Sequence, residues 1–99
     1  MAGPEAQTQA PTLPDEELRR RFLPPYQVVL HNDDHNEMAH VVRSLLKSVP
    51  SLTLPKATEI MREAHDQGKA LVVVCPLELA ELYRDRLQNF KLTATIEKA

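Results

Sequence analysis

One stretch of this 99-residue chain carries more polar groups than a turn requires: His31-Asn32-Asp33-Asp34-His35-Asn36-Glu37-Met38. Its oxygens and imidazoles can accept hydrogen bonds from a cationic ligand, hold a metal ion, or simply shape a turn. Calcium fits poorly, because the D-x-D-x-D-G pattern with a distal Glu is absent and no glycine makes the turn. Zinc is conceivable from His31, His35, His40 and an acid. Yet His31 ends an extended stretch, so its spacing to His35 is not that of one helix face. Asn and Asp before a helix are also ordinary turn and cap residues, and acids complement the positive end of a helix. No metal and no cofactor is expected.

The elements that must position these groups follow from apolar spacing. Tyr26 to His31 is rich in β-branched and aromatic residues and reads as a strand. From Glu37 to Val49, Met38, Val41, Val42, Leu45, Leu46 and Val49 recur three and one apart, the stripe of a helix. Asp34 with Glu37 resembles a capping box, and Asn36 is a competing N-cap. Pro50 ends that helix. A second helix starts near Thr53 with Pro55 in its first turn, and Gly68 stands where a C-terminal cap belongs. Leu54, Ala57, Ile60, Met61 and Ala64 should mark its buried face. Ala70 to Cys75 is nearly all apolar, which favours a central strand covered on both faces. Pro76 opens a third helix running to about Leu87, and Leu92 to Glu97 alternates as a last strand. The order β-α-α-β-α-β predicts an α+β two-layer sandwich with helices packed on one sheet. Periodicity leaves the strand directions open.

Composition narrows what such a domain can do. The formal charge is -2, with twelve basic residues against fourteen acidic, so no excess positive charge exists to grip a nucleic-acid backbone. Apolar residues make up 42% and charged residues 26%, which is globular composition. No run of about eighteen apolar residues suggests a membrane span, and the first residues lack the basic start and apolar centre expected of a signal peptide. A lone Cys75 suits a reducing compartment, the cytoplasm. Residues 1–25 differ in composition, with prolines, polar residues and the charged run Asp15 to Arg21. They read as a flexible N-terminal extension, with a short helical turn around Glu16 to Phe22. Residues 26–99 read as the folded domain.

An ordered set of residues in that domain resembles the ClpS family, adaptors that deliver N-degron substrates to the ATP-dependent Clp protease. The resemblance rests on Val28-Val29-Leu30-His31-Asn32-Asp33-Asp34, then Met38, Val41-Val42 and Leu45. It continues through Ala57-Thr58-Glu59-Ile60-Met61, His65 and Gln67-Gly68-Lys69-Ala70. Glu78, Ala80, Glu81 and the terminal Glu97-Lys98-Ala99 complete it. The resemblance implies a three-stranded antiparallel sheet with three helices, similar to the C-terminal domain of the ribosomal stalk protein.

It also implies a ligand: a free N-terminus bearing a bulky apolar side chain, Leu, Phe, Tyr or Trp. An α-ammonium presents three donors and a positive charge, so it needs about three acceptors, one of them anionic. The resemblance assigns them to Asn32, Asp33 and His65. It assigns the side-chain pocket to Met38, Val41, Met61, Ala64 and Leu92, with Asp34, Asn36 and Glu37 at the rim. Met61, Ala64 and His65 share one helical face by spacing. The second implied partner is the N-terminal domain of a ClpA- or ClpC-type unfoldase, docked at Glu78 and Tyr83. Four positions depart from the family's usual residues. Asn36 replaces a common Thr, Glu37 a common Pro, His40 a usual aromatic, and Tyr83 a Lys used in docking. One rival reading is a stalk-like interaction domain that does not read N-termini. It has no need for Asn32, Asp33 and His65 to converge. Another is a small hydrolase, which lacks an evident nucleophile, since Cys75 beside Pro76 reads as packing.

Overall fold

A computed structural model describes Asp15, Leu18 and residues 24–99 of the chain. The expected N-terminal extension, with its helical turn around Glu16 to Phe22, lies almost wholly outside the described residues. The elements run β1 (Pro25–His31), α1 (Met38–Ser48), α2 (Leu54–Gln67), β2 (Lys69–Pro76), α3 (Leu77–Asn89) and β3 (Thr93–Lys98). The three strands form one antiparallel sheet in the order β2-β1-β3, so the α+β architecture and element order match the expectation. α3 packs against all three strands, α2 against β1 and β2, and α1 against the other two helices. The core is a single cluster that includes Val28, Leu30, Leu45, Ile60, Val72 and Leu87.

β2 is not the central strand that its apolar run suggested; β1 is, and β2 forms an edge. Its side chains are not covered on both faces either, for Leu71 is 45% exposed and Val74 48%. The run is unbroken for two reasons: Leu71 and Val74 are apolar residues at exposed positions, and a break in register lies opposite Val28 and Val29. The bulge brings two successive valines toward the helices, with Val72 buried and Val73 packed against the core. An edge strand with a bulge and apolar residues on its open face therefore imitates the hydropathy of a buried one.

Helix ends show which local signals prevailed. Thr53 Oγ1 accepts the Lys56 N–H at 3.3 Å, with Pro55 in the first turn of α2. Gly68 closes α2 at φ 93, a left-handed conformation that glycine enters without steric cost. Leu54, expected on the buried face, is 60% exposed at the first position of the helix. The expected capping box of α1 does not form. Its N-cap is Glu37, which makes no side-chain cap bond, and Asn36 does not cap either. The buried face of α1 includes Ser44 and Ser48 beside Leu45, small side chains that suit close approach to the neighbouring helices. α3 ends in a Schellman motif. Leu92 N–H reaches the Leu87 carbonyl at 3.1 Å and Lys91 N–H the Gln88 carbonyl at 2.9 Å. Lys91 sits at φ 70, where glycine is usual.

Candidate functional site

Four pieces of chain meet at one end of the sheet. β1 ends at His31, and the loop 32–37 carries the chain into α1. The last turns of α2 lie beside this loop, since the Asn32 N–H donates to the Gly68 carbonyl at 2.8 Å. The start of β3 lies on the other side of β1 from β2. Between them is a hollow of about 120 Å³. It is lined by Asn32, Asp33, Asp34 and Asn36 of the loop, Met38 and Val41 of α1, and Met61, Ala64 and His65 of α2. Leu30, His31 and Leu92 complete it.

The polar and apolar linings differ in character. Met61, Ala64 and Leu92 are buried and Val41 half-buried, giving an apolar interior. Met38 is 49% exposed, as a side chain at the mouth would be. At the polar side, Asp33 is held twice: its Oδ1 accepts the His35 N–H at 2.9 Å and its Oδ2 accepts the Thr93 hydroxyl at 3.2 Å. These bonds explain why the loop acids do not cap α1. Asp33 turns its own loop, and Asp34 accepts from the Asn32 amide nitrogen at 3.5 Å. That contact leaves the Asn32 amide oxygen as the atom available to accept. His65 is exposed one turn before Gly68, and its imidazole has no hydrogen-bond partner among the described residues. A carboxylate, an amide oxygen and an imidazole thus border one apolar hollow. That arrangement suits a ligand cationic at one end and apolar at the other.

The other sequence candidates lie elsewhere. Glu37 is exposed and does not line the hollow. Glu78 is exposed in the first turn of α3, and Tyr83 is half-buried against the core rather than free in solvent. The histidines weighed as zinc ligands diverge: His31 Nε2 meets Thr95 Oγ1 at 2.7 Å and His40 Nε2 meets the Phe90 carbonyl at 2.7 Å. Among the described residues no three His, Cys, Asp or Glu groups stand together in a way that could hold a metal ion. Cys75 is half-buried, and that burial pushes its thiol up, which disfavours a nucleophilic thiolate. Sequence reasoning missed Thr93. Its partner Asp33 lies 60 positions away, and no local pattern reports such a contact.

Comparison with known proteins bears on this site. The family model described as "ATP-dependent Clp protease adaptor protein ClpS" matches residues 23–95. A protein of Synechococcus elongatus named as an ATP-dependent Clp protease adapter is 46% identical over 84 residues, which cover 85% of this chain and 88% of that one. A Gloeobacter violaceus protein of the same name is 45% identical, over 87% of this chain and 92% of its own. Among solved structures, Agrobacterium tumefaciens ClpS2 bound to L-phenylalaninamide superposes with a TM-score of 0.71 at 28% identity. That match covers 77% of this chain and 98% of the other.

Proposed function

This chain belongs to the ClpS family of ATP-dependent Clp protease adaptors, and from that premise we propose that it binds proteins by their first residue. The observation that carries the reading is the junction of Asn32, Asp33 and His65 with the apolar lining of Met38, Val41, Met61, Ala64 and Leu92 in one hollow. The α-ammonium of an N-degron donates to the amide oxygen, the carboxylate and the ring nitrogen. The first side chain, Leu, Phe, Tyr or Trp, enters the hollow. L-Phenylalaninamide, the ligand of the Agrobacterium relative, has the same two ends: a free α-amine and a phenyl ring. The hollow, about 120 Å³, is somewhat smaller than the roughly 150 Å³ apolar cavity that accepts a benzene ring, a scale that fits a single side chain.

Neither half of the ligand binds usefully alone. Burial of a Leu or Phe side chain yields roughly 1.5–3 kcal/mol. Each charge-assisted hydrogen bond adds about 1.5–3 kcal/mol. Association costs several kcal/mol, so the two halves together reach about micromolar affinity. Titration of matched Leu- or Phe-initiated peptides with free and acetylated amines tests this. The free peptide should bind and the acetylated one should not; equal affinities would refute the reading.

Delivery follows binding. The adaptor hands its substrate to a ClpA- or ClpC-type unfoldase, whose N-terminal domain docks on α3 near Glu78 and Tyr83. Residues 1–25 engage the machine during transfer. Deleting residues 1–23 should spare peptide binding and slow degradation of an N-degron substrate. The role is that of an adaptor rather than an enzyme, and the cytoplasm suits a chain with one unpaired cysteine. A stalk-like domain blind to N-termini is not favoured, since its surface would not need these three polar groups at one hollow.

A further inference from the structure

Two side chains outside the amine-binding trio, Asn36 at the rim of the hollow and His40 behind it, reach neighbouring points of the same distant turn. His40 Nε2 donates to the Phe90 carbonyl at 2.7 Å, and Ser44 Oγ stands 3.4 Å from the same nitrogen. The imidazole also meets the Phe90 ring edge-on, with centroids 6.4 Å apart at 72°. Asn36 Nδ2 donates to the Lys91 carbonyl at 3.0 Å. Two positions further on, the Thr93 hydroxyl donates to Asp33. Phe90, Lys91 and Thr93 are therefore each stitched to the loop or to α1. The residue between those stitches is Leu92, which is 5% exposed and lines the hollow. Lys91 meanwhile holds a left-handed backbone at φ 70 that a side chain resists. Such a conformation persists where its surroundings determine it.

We propose that His40, with Asn36, is a positioning residue for side-chain selection: it pins the turn 90–93 so that Leu92 forms an unyielding wall of the hollow. The proposal rests on the hollow being the first-residue pocket, and it adds what sets the size discrimination there. A fixed wall rejects a side chain too large for it, because the excess volume has nowhere to go. A wall released from its stitches follows the ligand and admits large and small side chains more evenly. His40 does not line the hollow, so its influence passes through the Phe90 carbonyl and the turn.

The test uses the full chain and four peptides identical except for a first residue of Leu, Phe, Tyr or Trp. His40→Phe keeps an aromatic ring against Phe90 and removes the donor. His40→Gln keeps a donor able to reach the carbonyl. In His40→Phe the spread between the tightest and weakest of the four peptides should shrink about fivefold, the scale of one hydrogen bond. His40→Gln should retain the wild-type spread. All three proteins should lose affinity equally on acetylation of the peptide amine. Asn36→Ala, which removes the adjoining stitch, should compress the spread in the same direction and serves if His40→Phe does not fold. A spread unchanged in either folded variant overturns the proposal. So does uniform weakening toward all four peptides, equal behaviour of His40→Phe and His40→Gln, or a wild-type protein that holds all four alike. Wild-type binding that ignores acetylation would instead strike down the first-residue reading itself, so the two failures are distinguishable.

Discussion

Asp33→Asn isolates the charge in amine recognition with little disturbance of the loop. The carboxylate accepts from the His35 N–H and from the Thr93 hydroxyl. An amide can keep its oxygen on the His35 N–H and turn its nitrogen to Thr93, whose hydroxyl rotates to accept. The fold should therefore tolerate the change, with a melting temperature within a few degrees of wild type. Binding should not. The ammonium then donates to a neutral oxygen in place of a carboxylate, so an ion–ion bond at the top of the range of about 1.5–3 kcal/mol becomes an ion–dipole bond about 1–2 kcal/mol weaker. The difference, about 1–2 kcal/mol, is a roughly five- to thirtyfold rise in Kd. Fluorescence anisotropy of a labelled Leu- or Phe-initiated peptide measures it. Repeating the titration at higher salt adds a second reading. Screening should weaken wild-type binding more than binding to the variant, because the variant has lost the charge that salt screens. A Kd within twofold of wild type, together with an unchanged salt response, would refute an ionic role for Asp33.

Other perturbations probe the apolar lining, the stitch behind Asp33 and the frame. Ala64→Val adds bulk to the lining of a hollow of only about 120 Å³, so it should weaken Tyr- and Trp-initiated peptides several-fold relative to Leu; an unchanged preference series would remove Ala64 from selection. Thr93→Val keeps the strand's β-branched side chain but frees one Asp33 oxygen, and should raise the Kd of free-amine peptides about threefold to tenfold, with Thr93→Ser restoring it. If Thr93→Val weakens binding as much in an Asp33→Asn background, Thr93 does not act through that carboxylate. Gly68→Ala meets no steric obstacle at its Cβ but must adopt φ 93, so thermal denaturation should show a loss of about 1–2 kcal/mol.

What the sequence determined by itself is local. The stripe from Met38 to Val49 is a helix because its apolar residues return at the helical period, and α1 spans Met38–Ser48. Thr53, Pro55 and Gly68 mark the ends of α2 because each acts through bonds or dihedrals within a few residues of itself. The order of elements follows from the same short-range physics. The family resemblance added the candidate site residues, because Asn32, Asp33, His65 and the apolar positions stand in its ordered pattern.

Only the tertiary structure decided where long-range partners fall. Ala70 to Cys75 reads as a central strand, yet strand order depends on which edge β3 joins, and β3 lies beside β1. Hydropathy carries no such term, and the bulge with apolar Leu71 and Val74 at exposed positions hides the alternation that would have shown one open face. The loop acids read as caps until Asp33 is seen holding Thr93, and Asn36 and His40 find carbonyls 55 and 50 positions away. Local patterns record what a residue does to its neighbours along the chain. A hollow that joins β1, α1, α2 and the turn before β3 exists only once packing has brought distant segments together, because the energy that closes it lies in contacts no local stretch contains.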